Sequence, residues 1–561
     1  MNKQKILKNF IPILKWLLKY KKKNFYFDFV AGINVGILLI PQGMAYALIA
    51  GLPPIYGLYA ALTPQIVYAI LGTSRQLAVG PVAIDSLIVA SGLGIISISS
   101  PEQYILMAIS LAFIVGSFQI IMALFRFSFI TNFLSKPIIN GFVSALAIII
   151  GFGQLKYLLG ISLSQTSLIQ NILIDIYNNI NQINLPTLYL GLSSILIILF
   201  VKKYKPKFPI YFIILILGTF ISYIFNLNKT GIDVVGNIPK GLPEFKIPLL
   251  NYDIIIDLFT IGITLAILGY IHAISIAKKI EEKHNYYKIN TNQELFALGM
   301  SNIIGSFFQS YPVSGGLSRS AVNDESGAKS GISAIISAFI VALIIIFFTT
   351  YLYHLPKAVL SSIIIVAVFN LIDYKFPRKL FSNFIDEFFL LTITFFVTIF
   401  YGIIGGILIG ILISILIITL RFNKSNFSLK KKIKNLMNYA SIISVSQKHQ
   451  KKSNILILEL KGQLFYGNLN FLKLFIEKKT INSSSLKILI FDIKNLYHID
   501  NSGSESFCQI IKKLNTKKIR VIISGFNKKK KGFKFDKNLI KCIKKDNIFI
   551  STNNALNKLN A

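Results

Sequence analysis

The sequence predicts a polytopic α-helical membrane protein of fourteen spans, arranged as a 7+7 inverted repeat, with a small α/β domain after it. Three observations lead there. Apolar residues make up 53% of the 561 positions and the mean hydropathy is +0.63, the balance of a chain that resides in lipid. Between Phe25 and about Leu420 the apolar residues gather into fourteen segments, some short and broken. Beyond Arg421 the pattern turns to short apolar runs, ILILELKG (455–462), LKILIFDI (486–493) and KIRVIIS (518–524), separated by helical stretches, as in a covered α/β sheet.

Residues 1–24 precede the first span. Residues 1–23 contain eight lysines and no acid. Ile6, Phe10, Ile13, Leu14, Leu17 and Leu18 fall at helical spacing beside Trp16, which predicts a basic amphipathic helix on the cytoplasmic leaflet, in contact with membrane lipid. The apolar run there is too short to span and lacks a small-residue cleavage site, so no signal peptide is expected. The membrane region, 25–421, divides into approximate spans 28–50, 53–72, 80–97, 103–126, 129–151, 184–201 and 209–225, then 253–278, 291–311, 315–327, 330–351, 355–373, 385–402 and 404–421. A polar loop, 226–252, separates the two sets, so the repeats cover about 28–225 and 253–421. A repeat with an odd number of spans must recur upside down.

Loop charge sets the orientation. One set of loops carries the N-terminal lysines, Arg75, Arg126, Lys202, Lys203, Lys278, Lys279, Lys283, Arg378 and Arg421 among others. The opposite set carries Lys156, Lys229, Lys240, Lys246 and Lys357. Both termini are therefore expected in the cytoplasm, in a multi-pass protein of the plasma (inner) membrane. Residues 422–452 read as a basic linker and 453–561 as the α/β domain.

Net charge is +36, from 59 Lys and Arg against 23 Asp and Glu. The lysines lie in loops and near the C-terminus of a chain rich in Lys, Asn and Ile, which fits AT-biased codon usage better than a nucleic-acid partner; none is expected. Cys508 and Cys542 are too far apart for a CxxC site and imply no disulfide framework. His272, His284, His354, His449 and His498 are scattered without ligand spacing, and neither a phosphate-binding glycine loop nor a nucleophile triad is present. These absences argue against an enzyme, a metal or a cofactor.

The stretch PVSGGLSRSAVNDESGA (312–328) is anomalous. Irregular, glycine-rich backbone at membrane depth survives where protein or a water-filled cavity surrounds it. A helix starting there points unpaired N–H groups and a positive dipole end into that space, and Arg319 in its first turn adds a full charge. The third span of the first repeat is the matching anomaly, opening LAVGPVAIDSL (77–87). Broken segments at corresponding positions of two repeats point to a binding site, and two half-helix N-termini meeting at mid-membrane favour an anion. The alternative for Arg319 is a cytoplasmic loop residue.

Several long motifs, in order, carry a family resemblance: PQGMAYALIAGLPPIYGLYA (41–60), GTSRQLAVGPVA (72–83), NQELFALGMSNIIGSFFQSYPVSGGLSRSAVN (292–323) and IDNSG (499–503). The chain resembles the SulP (sulfate permease) anion transporters from about residue 25 to about residue 555. The resemblance implies secondary active transport by alternating access, a cytoplasmic STAS domain and a homodimer. It places the anion between spans three and ten, near the backbone of Val82, Ala83, Gly316, Leu317 and Ser318, with Arg319 as the site arginine. Gln42 and Tyr46 match pocket-lining positions of span one; their alternatives are satisfaction of broken-helix backbone and ordinary packing. Ser318 can also serve as a helix N-cap.

One departure concerns coupling. Where many bacterial members carry a glutamate in a motif like G-F-x-E-S-x-x-x-A-K, this chain reads GYIHAISIAK (269–278) and places His272 there. His272 is thus the coupling candidate, as a titrating group or as a neutral hydrogen-bonding one, with H+ or Na+ as the coupling ion; exchange without either is the other possibility. Ser502 matches the serine of the D-x-S-G loop, read either as a phosphorylation site or as a structural helix cap. Sulfate is the first expected substrate, with bicarbonate or chloride exchange behind it. A membrane-anchored STAS signalling protein is the reading from another class.

Overall fold

The computed structural model describes residues 11–423, 443–445 and 454–560, apart from 19, 95, 97, 99, 128–134, 162–168, 206–207, 237–238, 240, 285–286, 370–371, 466–471, 474, 477–485, 526–541 and 544. The predicted N-terminal helix is represented by Ile13–Leu17; Ile6 and Phe10 lie outside the described residues, as does most of the expected linker.

The fourteen expected spans correspond to helices. The first set comprises α1 (Lys22–Ile49), the broken pair α2 (Pro54–Tyr59) and α3 (Thr63–Leu71), then α4 (Ala83–Leu93), α5 (Pro101–Leu124), α6 (Lys136–Gly153), α7 (Leu185–Tyr204) and α8 (Ile210–Ile224). The second comprises α9 (Tyr252–Lys283), α10 (Thr291–Phe307), α11 (Leu317–Glu325), α12 (Ile332–Phe347) and α13 (Lys357–Phe369). After the short α14 (Lys375–Asn383), the last two spans form one helical element, α15 (Ile385–Asn423), interrupted at Gly402, whose φ of 83° is open to glycine and costly for other residues.

Local chemistry explains where helices begin. α5 starts with Ser100 as N-cap, its hydroxyl accepting from Gln103 N, and with Pro101 in the first turn. α7 starts the same way, with Asn184 Oδ1 accepting from Thr187 N. Asn290 caps α10 by accepting from the N–H groups of Asn292 and Gln293. α4 and α11 have no side-chain cap at all. They have 11 and 9 residues, roughly 17 and 14 Å at 1.5 Å per residue, so each crosses about half of a ~30 Å hydrocarbon layer.

The chain divides into two compact units. One takes most of the residues up to Ile372, with Phe395–Gly406. Its helices cross at glycines: a Cβ on Gly57 would lie 1.9 Å from Gly43 O, and one on Gly116 would lie 2.6 Å from Gly299 O, so α1–α2 and α5–α10 meet backbone to backbone. Two buried carboxylates fasten its loops. Asp28 accepts from Lys329 N, Ser330 N, Ser330 Oγ and Tyr20 OH. Glu294 accepts from Thr73 N, Thr73 Oγ1, Ser74 N and the Tyr68 hydroxyl.

The other unit contains the first turns of α6, Asp373–Thr394 and the chain from Ile407 onward. Its four-stranded sheet runs β3 (Ile443–Val445), β4 (Ile455–Leu460), β6 (Ile488–Asp492), β8 (Arg520–Ser524), parallel except for the β3–β4 pair. β5 (Gly462–Leu464) pairs in parallel with β7 (Leu496–Ile499). The helix α16 (Asn501–Thr516) packs Phe507, Ile511 and Leu514 with Leu458, Leu489 and Phe491 of the sheet, and α17 (Thr552–Asn560) places Ala555 with Ile457, Ile490 and Ile522. Covered by both sets of side chains, the strands read as continuous apolar runs. Two expectations are corrected here. The sheet begins at Ile443, ahead of residue 453, because the three residues ISV add an edge strand that composition does not separate from the linker. Cys508 and Cys542 form a disulfide with Cα atoms 5.8 Å apart, a pairing that a sequence separation of 34 conceals.

Candidate anion site

The two anomalous segments meet. β1 (Val79–Gly80) and β2 (Ser314–Gly315) form a two-residue antiparallel ladder in which Val79 faces Gly315 and Gly80 faces Ser314. Gly316 N donates to Ala78 O at 2.9 Å, and Ala78 N donates to Ser320 Oγ at 2.9 Å. Asn323 Nδ2 donates to Gln76 O, and Asn302 bonds both N and O of Val313. Strand ladders of this length are marginal alone, so these side-chain bonds hold the crossing together.

From the ladder the half-helices depart, α4 with Val82 as N-cap and α11 with Gly316 as N-cap. The N–H groups of Ala83 and Ile84 on one side, and of Leu317 and Ser318 on the other, lie in first turns where no intrahelical carbonyl is available. Val82, Ala83 and Gly316 are buried, whereas Leu317 and Ser318 are exposed. Gln42, on α1, donates from Nε2 to Ser318 Oγ at 3.4 Å, while its Oε1 has no partner among the described residues. Tyr46, one turn further along α1, is buried and within electrostatic range of Arg319.

Arg319 is 1% exposed, and its Nε and Nη2 have no hydrogen-bond partner among the described residues. Its guanidinium folds back over Gly316, where a Cβ would stand 2.6 Å from Cζ, and approaches Gly80, where a Cβ would stand 3.4 Å from Nη2. Glycine at both positions lets the charged group sit between the two helix starts. Each helix start contributes roughly half an elementary charge, so with Arg319 the local charge comes to about +2. A buried charged donor left without an acceptor costs at least about 1–3 kcal/mol, so the arrangement calls for an anionic acceptor.

His272, on α9, is half-buried, with Nδ1 buried, unpartnered among the described residues, and within electrostatic range of Arg319. One residue absent from the sequence-based candidates also belongs here. Asp85, on α4, is 2% exposed; its Oδ2 accepts from the Ser314 hydroxyl, and its Oδ1 has no partner among the described residues. A lone acid in an otherwise apolar half-helix was the available signal.

Ser502 is remote in sequence and lies in the other unit. It is 5% exposed in the first turn of α16, and the cap is Asp500, whose Oδ1 accepts from Gly503 N at 2.5 Å. The structural-cap reading of Ser502 is thus corrected: a side chain inside the helix is past the N-cap position. Among the described residues no group of His, Cys, Asp and Glu has the makings of a metal site.

Two crossed half-helices with uncapped N-termini around a buried arginine, inside a fourteen-helix inverted repeat followed by an α/β domain, define a membrane transport protein of the 7+7 class. The chain matches the sulfate permease family over residues 25–394 and the STAS domain over 447–531. It belongs to the sulfate permease family. It is 34% identical over 537 residues to the chloroplastic sulfate transporter 4.1 of Arabidopsis thaliana, covering 92% of this chain and 78% of that one. Among solved structures it is similar to the inward-facing murine Solute Carrier 26 family member A9 anion transporter, with a TM-score of 0.71, 23% identity and coverage of 99% and 94%. It is also similar to the transmembrane domain of the cyanobacterial bicarbonate transporter BicA, with a TM-score of 0.60, 22% identity and coverage of 70% and 98%.

Proposed function

We propose that this protein is a secondary active transporter of sulfate, holding the dianion between the first turns of α4 and α11 and moving it by alternating access. The observation that carries the reading is Arg319: a buried guanidinium with unsatisfied donors, set between two helix N-termini whose combined charge suits a dianion. In this reading Ala83, Leu317 and Ser318 offer backbone N–H groups, Gln42 and Tyr46 border the anion, and Val82 and Gly316 shape the two turns. His272 stands beside the anion as the span-eight hydrogen-bonding group. The curated relative named above is a sulfate transporter, which supports the substrate. The reading includes a homodimer in the plasma membrane with both termini cytoplasmic, supported by the lysine and arginine bias of the loops.

The test is uptake of labelled sulfate into proteoliposomes by the wild type and Arg319→Ala. Uptake lost in the variant, with unchanged monodispersity in detergent, is the expected result. Wild-type vesicles that exchange bicarbonate or chloride but never sulfate would retain the site and overturn the substrate.

A further inference from the structure

The site contains an acid that an anion transporter has reason to avoid. Asp85 sits in the first turn of α4, facing β2: its Oδ2 accepts from Ser314 Oγ, and a Cβ placed on Gly269 of α9 would lie 3.8 Å from that same oxygen. The carboxyl group is therefore walled in by α4, β2 and α9, with 2% of the residue exposed. Its other oxygen, Oδ1, is buried and unmatched by any donor among the described residues. Arg319 lies within electrostatic range but forms no ion pair with it. The titratable groups facing this region from the surrounding elements are Tyr46 on α1, His272 on α9 and Tyr311 before β2, whose hydroxyl pairs with Ser86 Oγ at 3.0 Å. On α5 the titratable groups, Glu102 and Tyr104, are confined to its first turn, where Tyr104 OH donates to Ala50 O.

The charge balance follows. With Asp85 ionised, the local positive charge of about two falls to about one; with Asp85 protonated it returns to about two. A dianion therefore binds best when Asp85 holds a proton, and by reciprocity the dianion favours that protonation. The proton also has a place to reside. Oδ2 already receives the Ser314 hydroxyl, so the hydrogen would sit on the unmatched Oδ1. Sodium fits less well, because it wants several oxygen ligands and would have to sit beside a guanidinium.

Resting on the sulfate-transport reading above, we propose that Asp85 is the proton-binding residue that couples sulfate to the proton gradient: one proton taken up on Oδ1 with each dianion bound and released with it on the other side. No bond to the anion is made or broken; the carboxylate gains the proton from one aqueous phase and loses it to the other.

The experiment pairs equilibrium binding of labelled sulfate to the detergent-purified protein at pH 6 to 8 with transport in proteoliposomes. The variants are Asp85→Asn, which retains an acceptor for Ser314, and Asp85→Glu. In the wild type, sulfate Kd should rise with pH by as much as tenfold per unit, and an inward proton gradient should drive accumulation. Asp85→Asn should bind sulfate with a pH-independent Kd near the wild-type value at pH 6. It should also exchange sulfate for sulfate at equal pH while losing proton-driven accumulation. Asp85→Glu should restore part of the pH dependence. A wild-type Kd flat with pH, proton-driven accumulation surviving in Asp85→Asn, or accumulation that follows a sodium gradient and ignores protons would overturn the proposal while leaving sulfate transport in place. Absence of sulfate binding and transport in the wild type would instead overturn the reading beneath it.

Discussion

Gly316 lies directly beneath the guanidinium of Arg319: a methyl group at that Cα would stand 2.6 Å from Cζ and Nη2 and 3.0 Å from Nε. The atom that would have to move is the far end of a flexible side chain, so the backbone is spared. Gly316→Ala is expected to retain its thermal stability while weakening sulfate binding about tenfold or more, the equivalent of about 1.4 kcal/mol. A titration of Kd alongside a melting curve checks both parts; an unchanged Kd would show that the position of the guanidinium is not used.

Asp28 is a structural acid that fastens the chain ahead of α12 to the start of α1. It is fully buried and takes donors from Lys329 N, Ser330 N and Oγ, and Tyr20 OH. Asp28→Ala would leave those donors without their shared acceptor, at a cost of about 3 kcal/mol or more. Thermal unfolding in detergent should show a clearly lowered transition, and no concentration of sulfate should recover the whole of it.

Glu505 of α16 ties together the second unit, receiving Lys136 at 2.5 Å and Lys379 at 2.7 Å. Burial alone would raise its pKa, but the two lysines outweigh that and hold the carboxyl below its ordinary 4.5. A depressed acid contributes stability that is present above 4.5 and lost as the pH falls through the folded value. Hydrogen exchange at the start of α16 should therefore accelerate in wild type below about that pH, while Glu505→Gln should exchange quickly already at pH 7. Equal protection in both proteins at pH 7 would deny the tie.

The Cys508–Cys542 bond closes a 34-residue separation around a stretch lying partly outside the described residues. In chain-entropy terms its removal should cost about 2–4 kcal/mol of local stability. Cys508→Ser, or reduction of the wild type, should raise exchange in α16 and leave sulfate Kd unchanged. Mass spectrometry under non-reducing conditions establishes the bond first.

What the sequence exposes and what it hides follow different physics. Span positions are legible because a bilayer demands long apolar runs, and even the division at Gly402 shows as a glycine between two such runs. The crossing of the third and tenth spans is legible for the converse reason: glycine and polar residues have no business at that depth unless something occupies the space. Asp85 is not legible as a site residue because it lies on α4, far in sequence from His272 on α9 and Ser314 of β2, and proximity is what a linear string does not display. β3 and the disulfide escaped for the same reason. The three residues Ile-Ser-Val make a strand when β4 is beside them, and two cysteines pair when the chain returns. The cap of α16 lies two residues ahead of Ser502, since Asp500 and Ser502 are both competent N-cap residues and the backbone decides between them.

The short ladder between β1 and β2 has a consequence for how such a protein can diversify. Because Ala78, Gly316, Ser320, Gln76 and Asn323 bond the two helix starts to one another, the cradle is a single prefabricated part. Changes elsewhere, at the glycine crossings or among the lipid-facing side chains, then alter how quickly the part is carried without altering what it holds. Selectivity and speed become separate dials, and a descendant can retune its turnover to a colder or thicker membrane without relearning its substrate.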